Sequence, residues 1–204
     1  MQTEQNKSNK RDELLNAAYE LFTTIGFPNT TISKITDKAG VGKGTFYLYF
    51  TDKEDIRNAL IVEKSALVLT TAIKFLRDEM EKTKNNISFT DKILYIVDYI
   101  IELFNDNPAF LKFISKYLSW GFISSIYLDS EKINPLTQLV DLIEKKEKVI
   151  INDPKLLLFT IIELVNSTCY NVILRQQPVS IDEYKPFLYN TIRLIINESI
   201  IDAT

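Results

Sequence analysis

Residues that can cap a helix recur along this sequence, each followed at fixed spacing by an acidic side chain or a proline. Thr51 stands three residues before Glu54, which is the spacing of a capping box. Only 5 glycines and 6 prolines occur in 204 residues, a composition that suits long helices better than turn-rich β architecture. The sequence therefore predicts an all-α fold of about nine helices. Further helix starts are marked by Ser88 with Asp91, Asn107 with Pro108, Asn134 with Pro135, Asp153 with Pro154, and Ser180 with Glu183.

The N-terminal quarter of the chain predicts three helices of its own. A first helix begins near Lys10, carries apolar residues at helical spacing and stops at Gly26. Thr31 can cap a short second helix, and a glycine-containing turn leads to a third helix from about Lys43 to Tyr49. A fourth, longer helix follows to about residue 84. We expect residues 1–52 to form one domain and residues 53–204 a larger helical domain.

The short helix, turn and short helix within residues 30–53 have the arrangement of a helix-turn-helix. In that arrangement the second helix enters the DNA major groove and places its N-terminal residues at base edges. Gly44 lacks a side chain and allows close approach to DNA, while Lys43 can reach a phosphate or a guanine. Thr45 can contact a base edge or a thymine methyl group. The segment therefore predicts a DNA-binding surface.

Donors for DNA phosphates flank this surface. Tyr47 and Tyr49 offer hydroxyl groups and Lys53 offers an ammonium group, and phosphate contacts of this kind set register without reading sequence. The whole chain has a net charge of −3, but residues 31–50 carry Lys34, Lys38 and Lys43 against a single aspartate. Three lysines alone are also typical of a solvated face. The prediction of DNA binding therefore rests on the lysines together with the helix-turn-helix arrangement.

The same segment resembles a known family. Ile25-Gly26-Phe27, followed by TTISKITDKAGVGKGTFYLYFTDKEDI from Thr30 to Ile56, is similar to the DNA-binding region of the tetracycline-repressor family of bacterial regulators. The resemblance covers about residues 10–56 and rests on the joint spacing of its motifs. Two departures stand out, because Tyr49 occupies a position that is His in many members and Leu48 is apolar where members often have a polar or aromatic residue.

The resemblance implies a role for each matching position. Thr31 would contact a phosphate, and Ser33 a base or a phosphate. The recognition-helix surface would comprise Lys43, Gly44, Thr45, Tyr47 and Tyr49, with Lys53 on the DNA backbone.

Enzymatic chemistry is not expected of this chain. It contains no histidine, which excludes Ser-His and Cys-His catalysis and histidine-ligated metals, and its acidic residues show no paired spacing. The glycines near Lys43 fit neither a P-loop nor a dinucleotide fingerprint. The lone Cys169 lies in an apolar stretch and predicts a buried thiol. We therefore expect no metal and no cofactor.

An aromatic-rich stretch lies within residues 104–127 of the larger domain. Core packing explains such residues in general, but the family resemblance implies an effector pocket in this domain, so some of them can line an apolar cavity with few polar anchors. The sequence leaves the two interpretations open and does not identify the effector. The candidate lining residues are Phe104, Phe113, Tyr117, Trp120, Asn166 and Tyr170.

The last two predicted helices, about residues 154–177 and 181–201, are apolar on more than one face. Such an excess predicts a four-helix dimer interface, whose two-fold symmetry would place two recognition helices ~34–36 Å apart on a palindromic operator. An effector would act through the fourth helix to release the operator, as in a repressor. The residues expected at the interface are Leu157, Ile161, Leu164, Leu188, Ile192, Ile195 and Ile196.

The alternative hypothesis from another class is a helical ligand carrier or protein-interaction module that has lost operator binding. No apolar leader opens the chain, and apolar stretches such as residues 93–104 are broken by Asp98 and Glu102, so neither a signal peptide nor a transmembrane helix is expected. We expect a cytoplasmic homodimer, located at the nucleoid when bound to its operator, with double-stranded DNA and a small molecule as partners.

Overall fold

The computed structural model describes residues 2–83, 87–115 and 150–201, and within these ranges it contains eight α-helices and two short strands. The predicted helix start at Asn134–Pro135 lies outside the described residues. The elements are α1 Gln2–Thr24, α2 Ile32–Lys38, α3 Lys43–Tyr47, α4 Lys53–Thr83, α5 Phe89–Asp106, α6 Pro108–Ile114, β1 Ile150–Ile151, α7 Pro154–Leu174, α8 Ile181–Ser199 and β2 Ile200–Ile201. The predicted all-α class is confirmed.

Four of the predicted caps form as their side-chain chemistry requires. Thr31 Oγ1 accepts a hydrogen bond of 3.2 Å from the backbone N–H of Lys34 at the start of α2. Ser88 caps α5, and the carboxylate of Asp153 accepts from two backbone N–H groups at the start of α7. Ser180 forms a full capping box on α8. Each side chain satisfies helix donors that would otherwise lack a partner.

Two helix starts differ from the prediction, and a third, that of α6, forms at the predicted residues without its side-chain cap. The carboxylate of Asp52, rather than the hydroxyl of Thr51, accepts from the N–H at the third position of α4, and it is Asp55 that reaches back to the Thr51 N–H. A carboxylate one residue later thus caps the helix in place of the hydroxyl, and it accepts from the Asp55 N–H instead of that of Glu54. Helix α1 begins at Gln2 instead of near Lys10. Asn107 makes no side-chain cap on α6 and donates to the Leu103 carbonyl.

The chain divides into two compact units, Met1–Glu63 and Lys64–Thr204. The boundary therefore lies inside α4 and not at residue 52 as predicted. The physical reason is that the first turns of α4 belong to the first unit: Ile56 and Leu60 are buried, and the Arg57 guanidinium lies 4.5 Å from the centroid of the Phe27 ring. A polar cap marks where a helix starts, and it carries no information on where a domain ends.

In the first unit, α2 contacts α1 and α3. The completely buried side chains of Leu14, Ala18, Ile35, Phe46 and Ile56 lie at its core. Thr30 and Thr36 are buried as well, and their hydroxyl groups donate to the carbonyls of Gly26 and Ser33. The hydrogen bonds allow these polar groups to be buried at little cost.

In the second unit, α5, α6 and α8 each contact α7, and α5 also contacts α6 and α8. Helix α7 is long and apolar enough to cross a membrane by length and composition, a property that it shares with core helices of ordinary globular domains. Its contacts with three helices assign it to the core of this unit. Strands β1 and β2 pair antiparallel and join the start of α7 to the end of α8.

A polar network fastens α5 to α8. The ammonium of Lys185 donates to Asp98 at 2.9 Å and also to Glu102, and the hydroxyl of Tyr189 donates to Asp98. Burial alone would raise the pKa of the Asp98 carboxyl, but the hydrogen bonds from Tyr189 and Lys185 outweigh it, so this pKa lies below its usual range. Arg193 pairs with Asp91 at 3.0 Å further along the same two helices. The network fixes α8 against α5.

The lowered pKa of Asp98 predicts a pH dependence of stability. Because the folded-state pKa lies below the unfolded value of about 3.9, the stabilisation is present above about pH 5 and is lost as the pH falls through the folded pKa. We expect Asp98→Asn to lower the free energy of unfolding in urea at pH 7, with the difference from wild type vanishing in strong acid. Asp106→Asn removes an exposed carboxyl from the same helix and serves as the control. A difference that persists below pH 2 would contradict the assignment.

Candidate nucleic-acid interface

The connection between α2 and α3 is a tight turn with little freedom. Helix α2 ends at Ala39, and Gly40 then adopts a φ of +65°, a conformation that residues with a Cβ atom rarely adopt. The Val41 N–H donates to the Thr36 carbonyl at 3.0 Å, and Gly42 precedes the first residue of α3 in an extended conformation. The turn therefore sets the direction of α3, while the buried Phe46 holds α3 on the unit.

The other face of α3 is open. Lys43 and Gly44 are exposed, and the side chains of Tyr47 and Leu48 are 59% and 73% exposed. A Cβ atom added at Gly44 would meet no atom within 4 Å, so the surface here is flat enough for close approach of a partner. A tyrosine and a leucine held this far out on a rigid helix indicate a surface built for contact.

The remaining predicted contacts lie around this face. Thr45 and Tyr49 are half-buried, and Thr31 is exposed at the start of α2. The Thr31 hydroxyl accepts the capping bond and keeps its own proton for donation. Ser33 is half-buried on α2. These positions are compatible with DNA contact, which stays a prediction for each of them.

Lys53 has a position that the sequence does not reveal. Its ammonium donates to the carbonyls of Phe27 at 2.9 Å and Thr30 at 3.0 Å, and it lies 4.2 Å from the centroid of the Phe27 ring. Two of its three N–H groups are therefore committed to the loop between α1 and α2. We assign Lys53 to the positioning of this loop, and a phosphate contact would have to use the remaining N–H.

Replacing Lys53 by methionine tests this positioning role. The variant keeps the aliphatic stem but leaves two carbonyls without their charged donor, and we expect the free energy of unfolding to fall by about 1–3 kcal/mol. The control is Lys74→Met, at an exposed lysine of α4 in the second unit. Urea denaturation followed by circular dichroism measures both. Equal stabilities would mean that the Lys53 contacts contribute nothing.

The candidate effector residues have different surroundings in the second unit. Phe104 is completely buried and lies 6.1 Å from Phe110, ring centre to ring centre, as a core residue does. Phe113 and Tyr170 are half-buried, and the Arg175 guanidinium lies 5.3 Å from the centroid of the Tyr170 ring. Phe104 therefore packs as a core residue, and its contact with an effector stays a prediction. Tyr117 and Trp120 lie outside the described residues.

Asn166 is the predicted effector residue with the most informative surroundings. Its side chain is buried, and its Nδ2 donates to the Ser115 carbonyl at 2.7 Å. Its Oδ1 is buried as well and accepts no hydrogen bond from the residues that the structure describes. An amide oxygen buried in this way costs about 1–3 kcal/mol. A ligand group that donates to it would remove this cost.

An open groove of about 570 Å³ lies where α7 meets α8, a feature that was not predicted from the sequence. None of the predicted effector residues that the structure describes lines it. The one available signal was Pro178 in the short connection between two predicted helices, which indicates a turn but not a groove. Its lining residues are Thr168, Asn171, Val172, Gln177, Pro178 and Tyr184.

The assignment to a dimer interface is wrong for most of the predicted residues. Leu157, Ile161, Leu188, Ile192 and Ile196 are buried within their own protomer, so no surface of theirs remains for a partner. Leu164 and Ile195 are half-buried. The physical reason is that α7 and α8 pack on each other, and α7 also on α5 and α6, which uses the most apolar face of each helix inside the protomer. The exposed apolar side chains of these helices are Leu156, Phe159, Phe187 and Leu194.

The N-terminal unit also matches a known family. Residues 14–60, which include α2, the turn and α3, match the family described as bacterial regulatory proteins, tetR family. The likeness to the TetR family is thus shown for residues 14–60. Two curated relatives of the chain are named regulators, in agreement with the expectation that it is not an enzyme.

Curated relatives match only part of the chain. The fatty acid metabolism regulator protein of Bacillus subtilis is 32% identical over 91 residues, which cover 45% of the chain and 43% of the relative. An HTH-type transcriptional regulator of Staphylococcus aureus is 25% identical over 104 residues, covering 51% and 52%. The chain thus spans about half the length of the curated relatives that it matches.

Solved structures extend the likeness over the whole fold. A TetR-family transcriptional regulator from Streptomyces coelicolor has a TM-score of 0.64 at 14% identity, covering 93% of this chain and 99% of that one. The fatty acid degradation regulator FadR from Bacillus halodurans has a TM-score of 0.57 at 19% identity, covering 90% and 94%. At these identities the comparison shows the fold alone, and it confirms an N-terminal helix-turn-helix followed by a helical domain.

Proposed function

We propose that this chain is a sequence-specific DNA-binding transcriptional regulator that acts as a repressor. The observation that carries the proposal is the open face of α3, where Lys43, Gly44 and Tyr47 are exposed within a TetR-family domain. Helix α3 would lie in the major groove, with Lys43 at a guanine or a phosphate and Thr45 at a base edge. Tyr47, Tyr49 and Thr31 would donate to phosphates. Bound to its operator, the protein would be part of the nucleoid.

A homodimer with a palindromic operator is part of the proposal. Phe187 and Leu194 lie seven residues apart on α8, so they share one face of that helix. Leu156 and Phe159 lie three residues apart on α7. All four are exposed, with Phe187 at 66% and Leu194 at 58%. Two copies of this apolar face would form a four-helix interface and place the two recognition helices ~34–36 Å apart.

The proposed effector is a small, largely apolar molecule that carries at least one N–H or O–H donor. The buried, unpartnered Oδ1 of Asn166 supports the donor, since such an atom gains a full hydrogen bond when the effector binds. Helix α4 continues through both units and offers a route from effector to DNA. Effector binding would weaken operator affinity by about 1–3 kcal/mol.

Long-chain fatty acids and their coenzyme A thioesters are the first compounds to test. One curated relative is named a fatty acid metabolism regulator, and the amides of a thioester's pantetheine arm supply N–H donors. Thermal unfolding with each compound, followed by operator binding with and without it, measures the coupling. A compound that raises the melting temperature of the protein without changing operator affinity would contradict its role as effector.

Repression is tested with a reporter gene. The selected operator is placed between a promoter and the reporter, and the chain is expressed from a second plasmid. We expect lower reporter output with the wild type and unchanged output with Lys43→Ala/Tyr47→Ala. Higher output with the wild type would identify an activator, and equal output would contradict regulation through this operator.

A further inference from the structure

Most cations of the first unit are committed to contacts within the protein. Among the side chains that the structure describes there, four have intramolecular partners that hold them in place. Lys34 donates to the Asn29 carbonyl at 2.9 Å, Lys38 pairs with Glu20 at 2.5 Å, Lys53 donates to two carbonyls, and Arg57 lies over the Phe27 ring. Contacts of this kind reduce what a cation can offer to a DNA phosphate.

Three other cations within residues 9–63 are not held by hydrogen bonds or ion pairs to the described residues. Within this described range, Lys10 and Lys43 form no ion pair or hydrogen bond, and both are exposed. The Arg11 guanidinium contacts the Phe50 ring and has no acidic partner among the described side chains, although Asp12 and Glu13 follow it in the chain. Lys43 is the predicted contact of the recognition helix. Lys10 and Arg11 lie on α1, outside the surface that the sequence predicts.

The position of Arg11 connects it to the recognition helix. Its Cζ lies 5.7 Å from the centroid of the Phe50 ring. Phe50 in turn lies 5.7 Å from Phe46, the buried residue of α3, and 6.5 Å from Tyr49, ring centre to ring centre. The guanidinium therefore sits beside the C-terminal end of α3. Stacking on an aromatic ring leaves all five N–H groups of an arginine available, in a planar fork that matches a phosphate.

We infer that Lys10 and Arg11 form a second phosphate-binding site, which extends the contact of α3 onto the DNA backbone that borders the groove. The inference rests on the proposed DNA-binding function. Arg11 would clamp one phosphate in bidentate fashion while its guanidinium rests on the Phe50 ring, and the exposed Lys10 would contact the neighbouring backbone as a point charge. Since the site faces phosphates, it adds affinity and register and reads no sequence.

Salt dependence of DNA binding tests this site directly. The probe is a fluorescent duplex of about three helical turns that carries the sequence enriched by the wild type, titrated between about 50 and 200 mM salt. The variants are Lys10→Ala, Arg11→Met and the double variant, where methionine keeps an apolar stem over Phe50. The control is Lys74→Ala, which removes an exposed charge from the second unit.

We expect each phosphate contact removed to make the slope of log affinity against log salt shallower by about 0.9. At the lower salt concentrations the double variant binds at least about tenfold more weakly, since the released counterions drive the contact. The control keeps the wild-type slope. Because the site reads no bases, the double variant selects the same consensus sequence as the wild type, which a disturbed recognition helix would not do. Circular dichroism melting confirms that the variants are folded.

The outcomes separate this inference from the proposed function. If the wild type binds its selected duplex and the double variant keeps both the wild-type slope and the wild-type affinity, Lys10 and Arg11 do not contact phosphates and the proposed function stands. If the folded wild type enriches no sequence and binds no duplex, both are overturned. A shallower slope in the double variant, with an unchanged consensus sequence, supports the second phosphate site.

Discussion

Replacing Lys43 and Tyr47 by alanine is expected to weaken operator binding by about 100-fold or more, while the protein stays folded and keeps its oligomeric state. Both side chains are exposed on α3, so their removal leaves the core intact. Each base or phosphate contact of this kind contributes about 1–3 kcal/mol, and a dimer would lose each contact twice. Fluorescence anisotropy at one stated salt concentration measures the loss.

The matched control for this prediction is Lys38→Ala combined with Tyr19→Phe. Lys38 is held by Glu20, and Tyr19 lies half-buried on α1, so this pair changes similar groups of the same unit away from the open face of α3. We expect operator affinity within about threefold of wild type for the control, because surface changes away from an interface cost little. Equal losses in the two double variants would mean that α3 has no special role.

Replacing both Phe187 and Leu194 by glutamate is expected to convert the protein to a monomer. The two side chains are exposed on one face of α8, and each carboxylate at the centre of a closed interface would cost several kcal/mol in desolvation. A monomer has only one helix-turn-helix, so it loses the avidity that a second one adds, which is a factor of roughly 10²–10⁴ in operator affinity. Analytical ultracentrifugation measures the mass, and anisotropy measures the affinity for the operator.

Leu67→Glu is the control for the dimer prediction. Leu67 is a leucine of comparable exposure, at 56%, but it lies on α4. We expect the control to remain a dimer with wild-type operator affinity. A double variant of Phe187 and Leu194 that sediments as a dimer would show that the interface lies elsewhere on the protein.

The local part of the fold follows from the sequence because caps act over three or four residues. Thr31, Ser88, Asp153 and Ser180 each cap the helix that their spacing predicts. The start of α4 lies one residue later than predicted because the Asp52 carboxylate accepts from the Asp55 N–H, so that Asp52 and not Thr51 caps the helix. A sequence shows that a cap is available, and the competing geometry decides which one forms.

The choice between core and interface does not follow from apolar pattern alone. Leu188, Ile192 and Ile196 have the helical spacing of an interface stripe, yet all three are completely buried in the protomer. Phe187 and Leu194 look no different in composition, but they lie on the face of α8 that the protomer leaves open. An apolar side chain is recognised as an interface residue only when the packing of its own protomer is known.

The candidate DNA-binding surface also contains residues that the sequence predicts and residues that only the structure reveals. The exposed α3 residues were predictable, because a helix-turn-helix fixes which face of its second helix is free. The roles of Lys53 and Arg11 were not, since they depend on contacts with Phe27 and Phe50 that are distant in sequence. The sequence shows that a cation is present, and the tertiary structure decides whether it contacts a carbonyl group, an aromatic ring or a phosphate.

Selection of bound sequences from random duplex DNA tests the central claim most directly. Wild type and the Lys43→Ala/Tyr47→Ala variant are run in parallel at the same moderate salt concentration. We predict that the wild type alone enriches a palindromic consensus with half-sites about 10 base pairs apart, centre to centre, as two heads on one face of the helix require. No enrichment by folded, dimeric wild type would contradict the account and favour a helical carrier or interaction module.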